Sequence, residues 1–173
     1  MQDRQTTTIH DPVTARIVAF LAGIGIPVET DTLEDDGFLP AMAVRNGTLV
    51  FDPARLEWPG DLLHEAGHIA VTDPALRAML CEVRSDPAEE MAAIGWSYAA
   101  ALAIGLDPAI VFHEAGYHGG SESILENFNG GRYFSVPMLE YYGMTLTKRV
   151  AEENGMAPYP HMLGWLRTRT NQT

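Results

Sequence analysis

Hydrophobic residues near the start of the chain recur at the spacing of an amphipathic α-helix. Residues three, four or seven positions apart on such a helix share one face. The apolar positions of this pattern are Val13, Ile17, Phe20, Leu21 and Ile24. The pattern predicts a helix that begins at Pro12, with Asp11 as its N-cap, and stops near Gly23.

Two short runs of β-forming residues follow within 41–52, and they flank the dipeptide Asn46-Gly47. Asn-Gly is a strong signal for a two-residue β-hairpin, because both central residues of a type I′ turn need a positive φ. The segment 41–52 therefore predicts a hairpin.

The rest of the chain shows helical patterns separated by turns. One helix runs through LLHEAGHIAV (62–71) with Asp61 as its cap, and a second runs from Asp86-Pro87 to Gly105. The segment LDPAIVFHEAGYHGG (106–120) repeats the Asp-Pro start and predicts a third helix, which stops at Gly119-Gly120. A short helix or turn is predicted in 72–80, and short helices in 121–131, 136–143, 147–155 and 159–167. This order indicates an α+β fold with a small sheet, in a single domain that covers residues 1–173.

Composition and charge argue against nucleic acid and membranes as partners. The 173 residues carry a formal net charge of −12, and a surface this acidic repels nucleic-acid backbones. The longest uncharged run, 91–106, is shorter than the ~20 apolar residues of a membrane-spanning helix. Cys81 is the single cysteine, so no internal disulfide is possible, and the first residues lack a signal-peptide pattern. We therefore predict a cytoplasmic protein that binds neither nucleic acid nor membranes.

The pentapeptide HEAGH, residues 64–68, is a candidate metal site. His64 and His68 are four residues apart, so on a helix both imidazoles lie on one face and can bind one ion. Two histidines one turn apart supply two of the nitrogen ligands that zinc prefers. Glu65 lies beside the first ligand, where it can take a proton from a water that the metal activates. The alternative is a pair of buried or surface histidines with no ligand role.

The hairpin of 41–52, followed directly by the HEAGH helix, resembles the zincin metallopeptidases. Within that class the segment 41–105 is most similar to the ImmA/IrrE-like peptidases. The resemblance implies a zinc-dependent peptidase in which a small hairpin or sheet packs on the HExxH helix and the C-terminal part is mostly helical. It also implies that His64 and His68 are ligands, that Glu65 is the base, and that a third ligand, usually Glu, lies on a following helix.

The third ligand is expected in the first turn of the helix that begins at Asp86-Pro87. Asp86, Glu89 and Glu90 are the candidates there. Glu90 shares a stripe with the small residues of positions 93, 97 and 101, which lets this helix lie close to the HEAGH helix. The family pattern, a ligand Glu followed by small residues and then an apolar one, favours Glu90 over Glu89. The alternative is that both are first-turn acids that interact with the helix dipole and face water.

A second HEAG occurs at 113–116 but does not repeat the metal motif. His113 and His118 are five residues apart, about 140° around a helix, and cannot bind one ion side by side. The resemblance implies a further residue that stabilises the oxyanion of the tetrahedral intermediate. The candidates are His118, Tyr117, Tyr133 and His161, and His118 is preferred because it lies in a Gly-rich loop that could line the cleft. The alternative for each is a surface or core polar residue.

The sequence therefore predicts a zinc-dependent peptidase that acts on a peptide or protein substrate. His64, His68 and Glu90 are expected to bind zinc, Glu65 to be the general base, and His118 to assist. The competing prediction is a zincin-shaped metal-binding or regulatory module that does not cleave efficiently.

Overall fold

The first helix begins and ends where its local signals predict. In this computed structural model, which describes residues 9–34, 41–83 and 86–170, helix α1 covers Pro12–Gly23. A carboxylate oxygen of Asp11 accepts a hydrogen bond from the backbone N–H of Thr14 at 2.7 Å. The side chain of Asp11 thus satisfies a backbone donor that the helix leaves without an internal partner.

The predicted hairpin is confirmed, and it belongs to a three-stranded sheet. Strands β2 (Met42–Arg45) and β3 (Thr48–Phe51) are antiparallel, with Arg45 opposite Thr48. The turn residues Asn46 and Gly47 have φ values of 50° and 73°, as a type I′ turn requires. Strand β1 (Val28–Thr30), which the sequence analysis missed, pairs parallel with β3 and gives the order β1-β3-β2. The observed fold is thus α+β with a small sheet, as predicted.

Two long helices form the centre of the molecule. Helix α2 covers Asp61–Val71, and α4 covers Pro87–Ala103 after the short helix α3, Pro74–Arg77. Helix α2 buries nine of its eleven residues, so only Asp61 and His64 keep a substantial part of their surface in solvent. At Gly67 a Cβ atom would lie 3.1 Å from the carbonyl oxygen of Ala93. The absence of a side chain at this position allows α4 to lie this close to α2.

The start of α2 differs from the prediction. Gly60, rather than Asp61, is the N-cap, and no side chain caps the helix. Gly60 is required because a Cβ atom there would lie 1.9 Å from the carbonyl oxygen of Ile110. The carboxylate of Asp61 instead contacts the Nε2 atom of His113 at 2.8 Å. The first turn of α2 is therefore fixed by the segment around residues 110–113.

Two arginine side chains hold the other end of α2. Arg77 donates hydrogen bonds to the carbonyl oxygens of Ile69, Ala70 and Thr72 at 3.1–3.2 Å. Arg167, which is buried, donates to the carbonyl oxygen of Val71 at 3.2 Å. These carbonyls lack partners inside the helix, so the two guanidinium groups satisfy acceptors that burial would otherwise leave unpaired.

The predicted helix in 106–120 is wrong. The segment contains two single 3-10 turns, Pro108–Ile110 and Tyr117–Gly119, joined by irregular backbone. Asp107 does cap the first turn by accepting from the N–H of Ala109 at 2.9 Å. The helix does not continue because contacts with other elements, such as that of His113 with Asp61, hold the segment in a non-helical path.

The predicted helix in 159–167 is also wrong. This stretch contains turns and an isolated antiparallel bridge between Thr145 and Met162. Tyr159 donates a hydrogen bond to the carbonyl oxygen of Gly95, and the carbonyl oxygen of Trp165 accepts one from the indole of Trp96. Long-range contacts with α4 therefore replace the local bonds that a helix would have made.

The remaining predicted helices are confirmed, and all elements surround one hydrophobic cluster. Helix α5 covers Ser121–Asn129, α6 covers Val136–Tyr141 and α7 covers Lys148–Asn154. The cluster extends from Ile17 in α1 to Tyr159 near the end of the chain. Among the described residues, no helix combines the length and the apolar character that a bilayer span requires.

Candidate metal centre

Helices α2 and α4 bring two histidines and one glutamate together. The Nε2 atoms of His64 and His68 lie 3.1 Å apart. The carboxylate oxygens of Glu90, in the first turn of α4, lie 3.0 Å from Nε2 of His68 and 3.6 Å from Nε2 of His64. One ligand atom from each residue lies within 4.8 Å of the others, so the group could hold a metal ion.

The distances within this group fit a single small ion. Zinc binds imidazole nitrogen and carboxylate oxygen at about 2.0–2.2 Å in tetrahedral geometry, which places neighbouring ligand atoms roughly 3.3–3.6 Å apart. The three observed separations lie between 3.0 and 3.6 Å. The two Glu90 distances belong to different oxygens, Oε1 towards His64 and Oε2 towards His68, so the carboxylate faces both imidazoles.

The local electrostatics keep the side chains of His64 and Glu90 in the forms that bind cations. Burial lowers the pKa of His64 to about 4, with a further decrease from His68, so the imidazole is neutral at physiological pH. Burial alone would raise the pKa of Glu90, but the hydrogen bond with His68 and the electrostatic interactions with the two imidazoles outweigh it and lower the pKa. The group therefore presents a neutral imidazole at His64 and an ionised carboxylate at Glu90.

Glu65 lies beside this group but is not one of its three members. It is one of the few buried charged residues, at 5% exposure. Burial raises its pKa to about 7; the charge of His68 opposes this shift, and those of Glu90 and Asp61 add to it. A carboxyl group with a pKa near neutrality can both accept and release a proton at physiological pH.

Tyr117 contacts the group from outside. Its hydroxyl oxygen lies 2.7 Å from Nδ1 of His64, and its ring packs edge-on against the imidazole at 5.2 Å. Burial raises the pKa of Tyr117 well above its usual range, and the carboxylates of Glu90, Asp61 and Glu65 raise it further. The residue is therefore a neutral phenol that contacts the outer nitrogen of His64.

The structure does not bring His118, the preferred candidate from the sequence, into this group. His118 is exposed, in a left-handed conformation with φ of 50°. His161 is exposed too, and Tyr133 packs against Tyr159 and Phe128. Of the four candidates for oxyanion stabilisation, Tyr117 is the one seen in contact with the histidines. Its position follows from the non-helical backbone of 117–119, which no local signal indicates.

The other acids of the first turn of α4 have different surroundings. Asp86 is the N-cap, and its carboxylate accepts from the backbone N–H groups of Ala88 and Glu89 at 2.8 and 3.3 Å. Glu89 lines an open cleft whose other members are Thr72, Leu76, Met79, Leu80, Cys81 and Glu82. Glu90 is thus the first-turn acid that the structure groups with the histidines.

The second HEAG holds the first turn of α2. The imidazole of His113 is buried, stacks on Trp58 at 4.3 Å with an interplanar angle of 3°, and bonds to Asp61. Asp61 precedes His64 by one helical turn. This use of His113 is a contact between two segments, which the spacing of histidines alone does not reveal.

Comparisons with known proteins identified no relative of this chain. No protein-family model matches the chain, and neither the curated proteins nor the solved structures contain a match. The candidate metal centre rests on the residues and geometry described above.

Proposed function

We propose that this chain is a zinc-dependent peptidase, with His64, His68 and Glu90 as the metal ligands and Glu65 as the general base. The observation that carries the proposal is the convergence of the two Nε2 atoms and the Glu90 carboxylate within 3.6 Å, with the buried Glu65 directly next to His64 in α2. The HEAGH helix and the preceding hairpin, which resemble those of zincins, support the same class.

The donor set favours zinc over the other common divalent ions. Calcium and magnesium prefer six or more oxygen ligands, whereas two imidazoles and one carboxylate suit tetrahedral zinc. A bound zinc ion supplies Lewis acidity towards water and towards the carbonyl group of a peptide bond. His64 and His68 would hold the ion through their Nε2 atoms, which lie 3.1 Å apart, and Glu90 would supply a negative charge that partly balances a dication.

Glu65 moves the proton in the proposed reaction. Its carboxylate accepts a proton from the water that attacks the peptide carbonyl, and the resulting carboxylic acid donates this proton to the leaving amine. Its raised pKa supports both roles, because a general base works best when its pKa lies near the operating pH. The burial that raises the pKa also keeps bulk water from competing for the carboxyl group.

One observation favours the competing function, a metal-binding or regulatory module without efficient proteolysis. Tyr117 is the candidate oxyanion donor found at the histidines, and its hydroxyl contacts Nδ1 of His64. Nδ1 is the ring nitrogen that does not face His68 and Glu90, so the imidazole separates the hydroxyl from the ion that Nε2 would bind. The two functions share the metal site and differ in turnover.

Hydrolysis of a broad peptide pool, read by mass spectrometry, tests the proposal. We expect the zinc-loaded protein to cleave, a chelator to stop cleavage, and added zinc to restore it. Glu90→Ala should lose zinc and cleavage together. Glu89→Ala is the matched control, because it removes the neighbouring acid of the same helical turn without touching the histidines, and it should retain both.

Each outcome separates the alternatives. Cleavage that survives complete removal of the metal contradicts the mechanism, as does full zinc binding by Glu90→Ala. Stoichiometric zinc binding without cleavage of any peptide favours the regulatory module. Loss of zinc in Glu89→Ala but not in Glu90→Ala would show that Glu89, and not Glu90, is the third ligand.

A further inference from the structure

The contact between Tyr117 and His64 joins the metal group to a distant segment of the chain. The hydroxyl oxygen of Tyr117 lies 2.7 Å from Nδ1 of His64, a short hydrogen bond between residues 53 positions apart. It comes from the segment 113–119, which has no part in the group formed by His64, His68 and Glu90. Its effect on that group must therefore act through the imidazole of His64.

The direction of this hydrogen bond follows from the chemistry of imidazole. A neutral imidazole carries one proton, on either Nδ1 or Nε2. The Nε2 atom of His64 points to His68 and Glu90, at 3.1 and 3.6 Å, so it can bind a cation only when the proton is on Nδ1. The N–H at Nδ1 then donates to the hydroxyl oxygen of Tyr117, which stabilises the tautomer that leaves Nε2 free.

The two histidines differ in what holds them. The His68 side chain is 4% exposed, and its Nδ1 atom is buried without a hydrogen-bond partner among the described residues. Its orientation is set by packing in the middle of α2. The His64 side chain is 18% exposed and lies nearer the start of the helix. With less packing around it, His64 depends more on a hydrogen bond to fix its ring and its tautomer.

The backbone of the segment is strained where Tyr117 is placed. Tyr117 and His118 have φ values of 52° and 50°, and Gly119 follows at 84°. A left-handed conformation costs a residue other than glycine on the order of 1 kcal/mol and persists only where surrounding contacts impose it. Those contacts are present, because the Ser121 hydroxyl donates to the carbonyl oxygen of His113 at 2.6 Å and His113 bonds to Asp61.

We propose that Tyr117 is a positioning residue for the metal ligand His64. By accepting a hydrogen bond from Nδ1, its hydroxyl fixes the orientation and the tautomer in which Nε2 is free to bind the ion. This inference rests on the proposed function for the identity of the metal. The contact between Tyr117 and His64 does not depend on that identity. Partners of this kind are typically worth about 10–100-fold in metal affinity.

The test measures zinc affinity in Tyr117→Phe, which removes the hydroxyl and keeps the ring that packs on Phe112 and His64. Competition with a chromophoric chelator should show zinc binding weakened by about 10–100-fold. Tyr159→Phe is the matched control, because it removes a buried hydroxyl that donates to Gly95 in α4 at 2.8 Å. The control should keep the wild-type affinity even if it unfolds more easily.

A second readout separates positioning from general destabilisation. In metal-free protein with ¹⁵N-labelled histidine, the ring nitrogens of His64 should report one tautomer in the wild type and a mixture of both in Tyr117→Phe. The signals are assigned by their loss in His64→Ala. If Tyr117→Phe does not fold, the wild-type spectrum decides alone, since a His64 ring that already populates both tautomers contradicts the inference.

The outcomes distinguish this inference from the proposed function. If the wild type binds no zinc, the proposed function fails, while the ring-nitrogen spectrum still decides whether Tyr117 fixes His64. If the wild type binds zinc and Tyr117→Phe binds it equally well, the positioning inference fails alone. An equal loss of zinc affinity in Tyr159→Phe would also overturn it, because removal of a buried hydroxyl far from His64 would then have the same effect.

Discussion

The same four residues, HEAG, occur at 64–67 and at 113–116 and have different structures in the two places. The first copy lies inside α2, with its histidine in the candidate metal group. The second lies in irregular backbone between two 3-10 turns, and its histidine stacks on Trp58 and bonds to Asp61. Each residue of the first copy can therefore be compared with the same residue type in the second copy, in a different environment.

The difference arises from the residues on either side of the motif. Leu62, Leu63 and Ile69 flank the first copy at helical spacing and are fully buried, so folding this segment as a helix removes a large apolar surface from water. After the second copy, Tyr117 and His118 adopt left-handed backbone, which ends any helix. The motif itself does not determine its structure; burial of its neighbours does.

Substitution of the glutamates of the two copies should give the largest difference, in the rate of peptide hydrolysis. Glu65 is buried and has a raised pKa, whereas Glu114 is exposed. Glu65→Gln keeps the shape of the side chain but cannot accept a proton, so we expect zinc to be retained and peptide hydrolysis to fall by about 10²–10⁴-fold. Glu114→Gln is the control and should cleave at the wild-type rate.

The measurement is initial rate per bound zinc for the two variants and the wild type, on the peptides that the wild type cleaves fastest. Equal rates for Glu65→Gln and the wild type contradict the assignment of the base. A loss of rate in Glu114→Gln would indicate that the second copy of the motif also takes part in catalysis.

The histidines provide the next effect, on metal content rather than on rate. His64→Ala removes one of three proposed ligands, so the loss of zinc affinity should exceed the roughly 10–100-fold expected for an outer partner. His113→Ala should lose much less, at most the roughly 10–100-fold expected if Tyr117 is displaced, because His113 bonds to Asp61 and not to the metal group. It should instead lower the free energy of unfolding by about 1–3 kcal/mol, since Asp61 loses its partner.

Metal analysis after dialysis and denaturant unfolding of the metal-free proteins measure the two properties separately. If His113→Ala loses zinc as completely as His64→Ala does, the two copies are not functionally distinct. If His64→Ala binds zinc like the wild type, the group of His64, His68 and Glu90 is not the binding site.

The features that the sequence predicted depend on residues close together in the chain. Asn46-Gly47 specifies its turn because the two residues themselves adopt the positive φ values. Asp11 and Asp86 cap their helices by bonding to N–H groups two or three residues ahead. The grouping of His64 with His68 needs only one turn of helix, and the choice of Glu90 needed only the small-residue stripe and the family pattern.

The features that the sequence did not predict depend on contacts between distant residues. Strand β1 has three residues, and its pairing with β3 crosses about twenty positions. The Asp107-Pro108 start looks like the starts of α1 and α4, yet it yields one 3-10 turn. His118 is preferred to Tyr117 in the sequence because it lies in a Gly-rich loop after a predicted helix, and that helix does not form. The left-handed backbone that directs Tyr117 to His64 appears only when the segment meets α2.

Substitution of the glycines of the two copies by alanine should give the smallest effect. The free energy of unfolding should change in opposite directions in the two variants. At Gly67 a Cβ atom would lie 3.1 Å from the carbonyl oxygen of Ala93 and 3.3 Å from the ring of Trp96. Gly67→Ala gains about 1 kcal/mol of helix propensity but must push α4 away, and overpacking typically costs about 1–3 kcal/mol. We expect a net loss of about 1 kcal/mol in the free energy of unfolding.

At Gly116 the backbone is extended, with φ of −87°, and the nearest atoms to a Cβ would lie 3.4–3.6 Å away on His113. An alanine fits there without strain and restricts the unfolded chain, so Gly116→Ala should raise the free energy of unfolding by up to about 0.4–1 kcal/mol. Denaturant unfolding of both metal-free variants measures the difference. A Gly67→Ala protein as stable as Gly116→Ala would mean that α2 and α4 can move apart at little cost. The distance between Glu90 and the histidines would then be less tightly fixed by helix packing than the close approach at Gly67 implies.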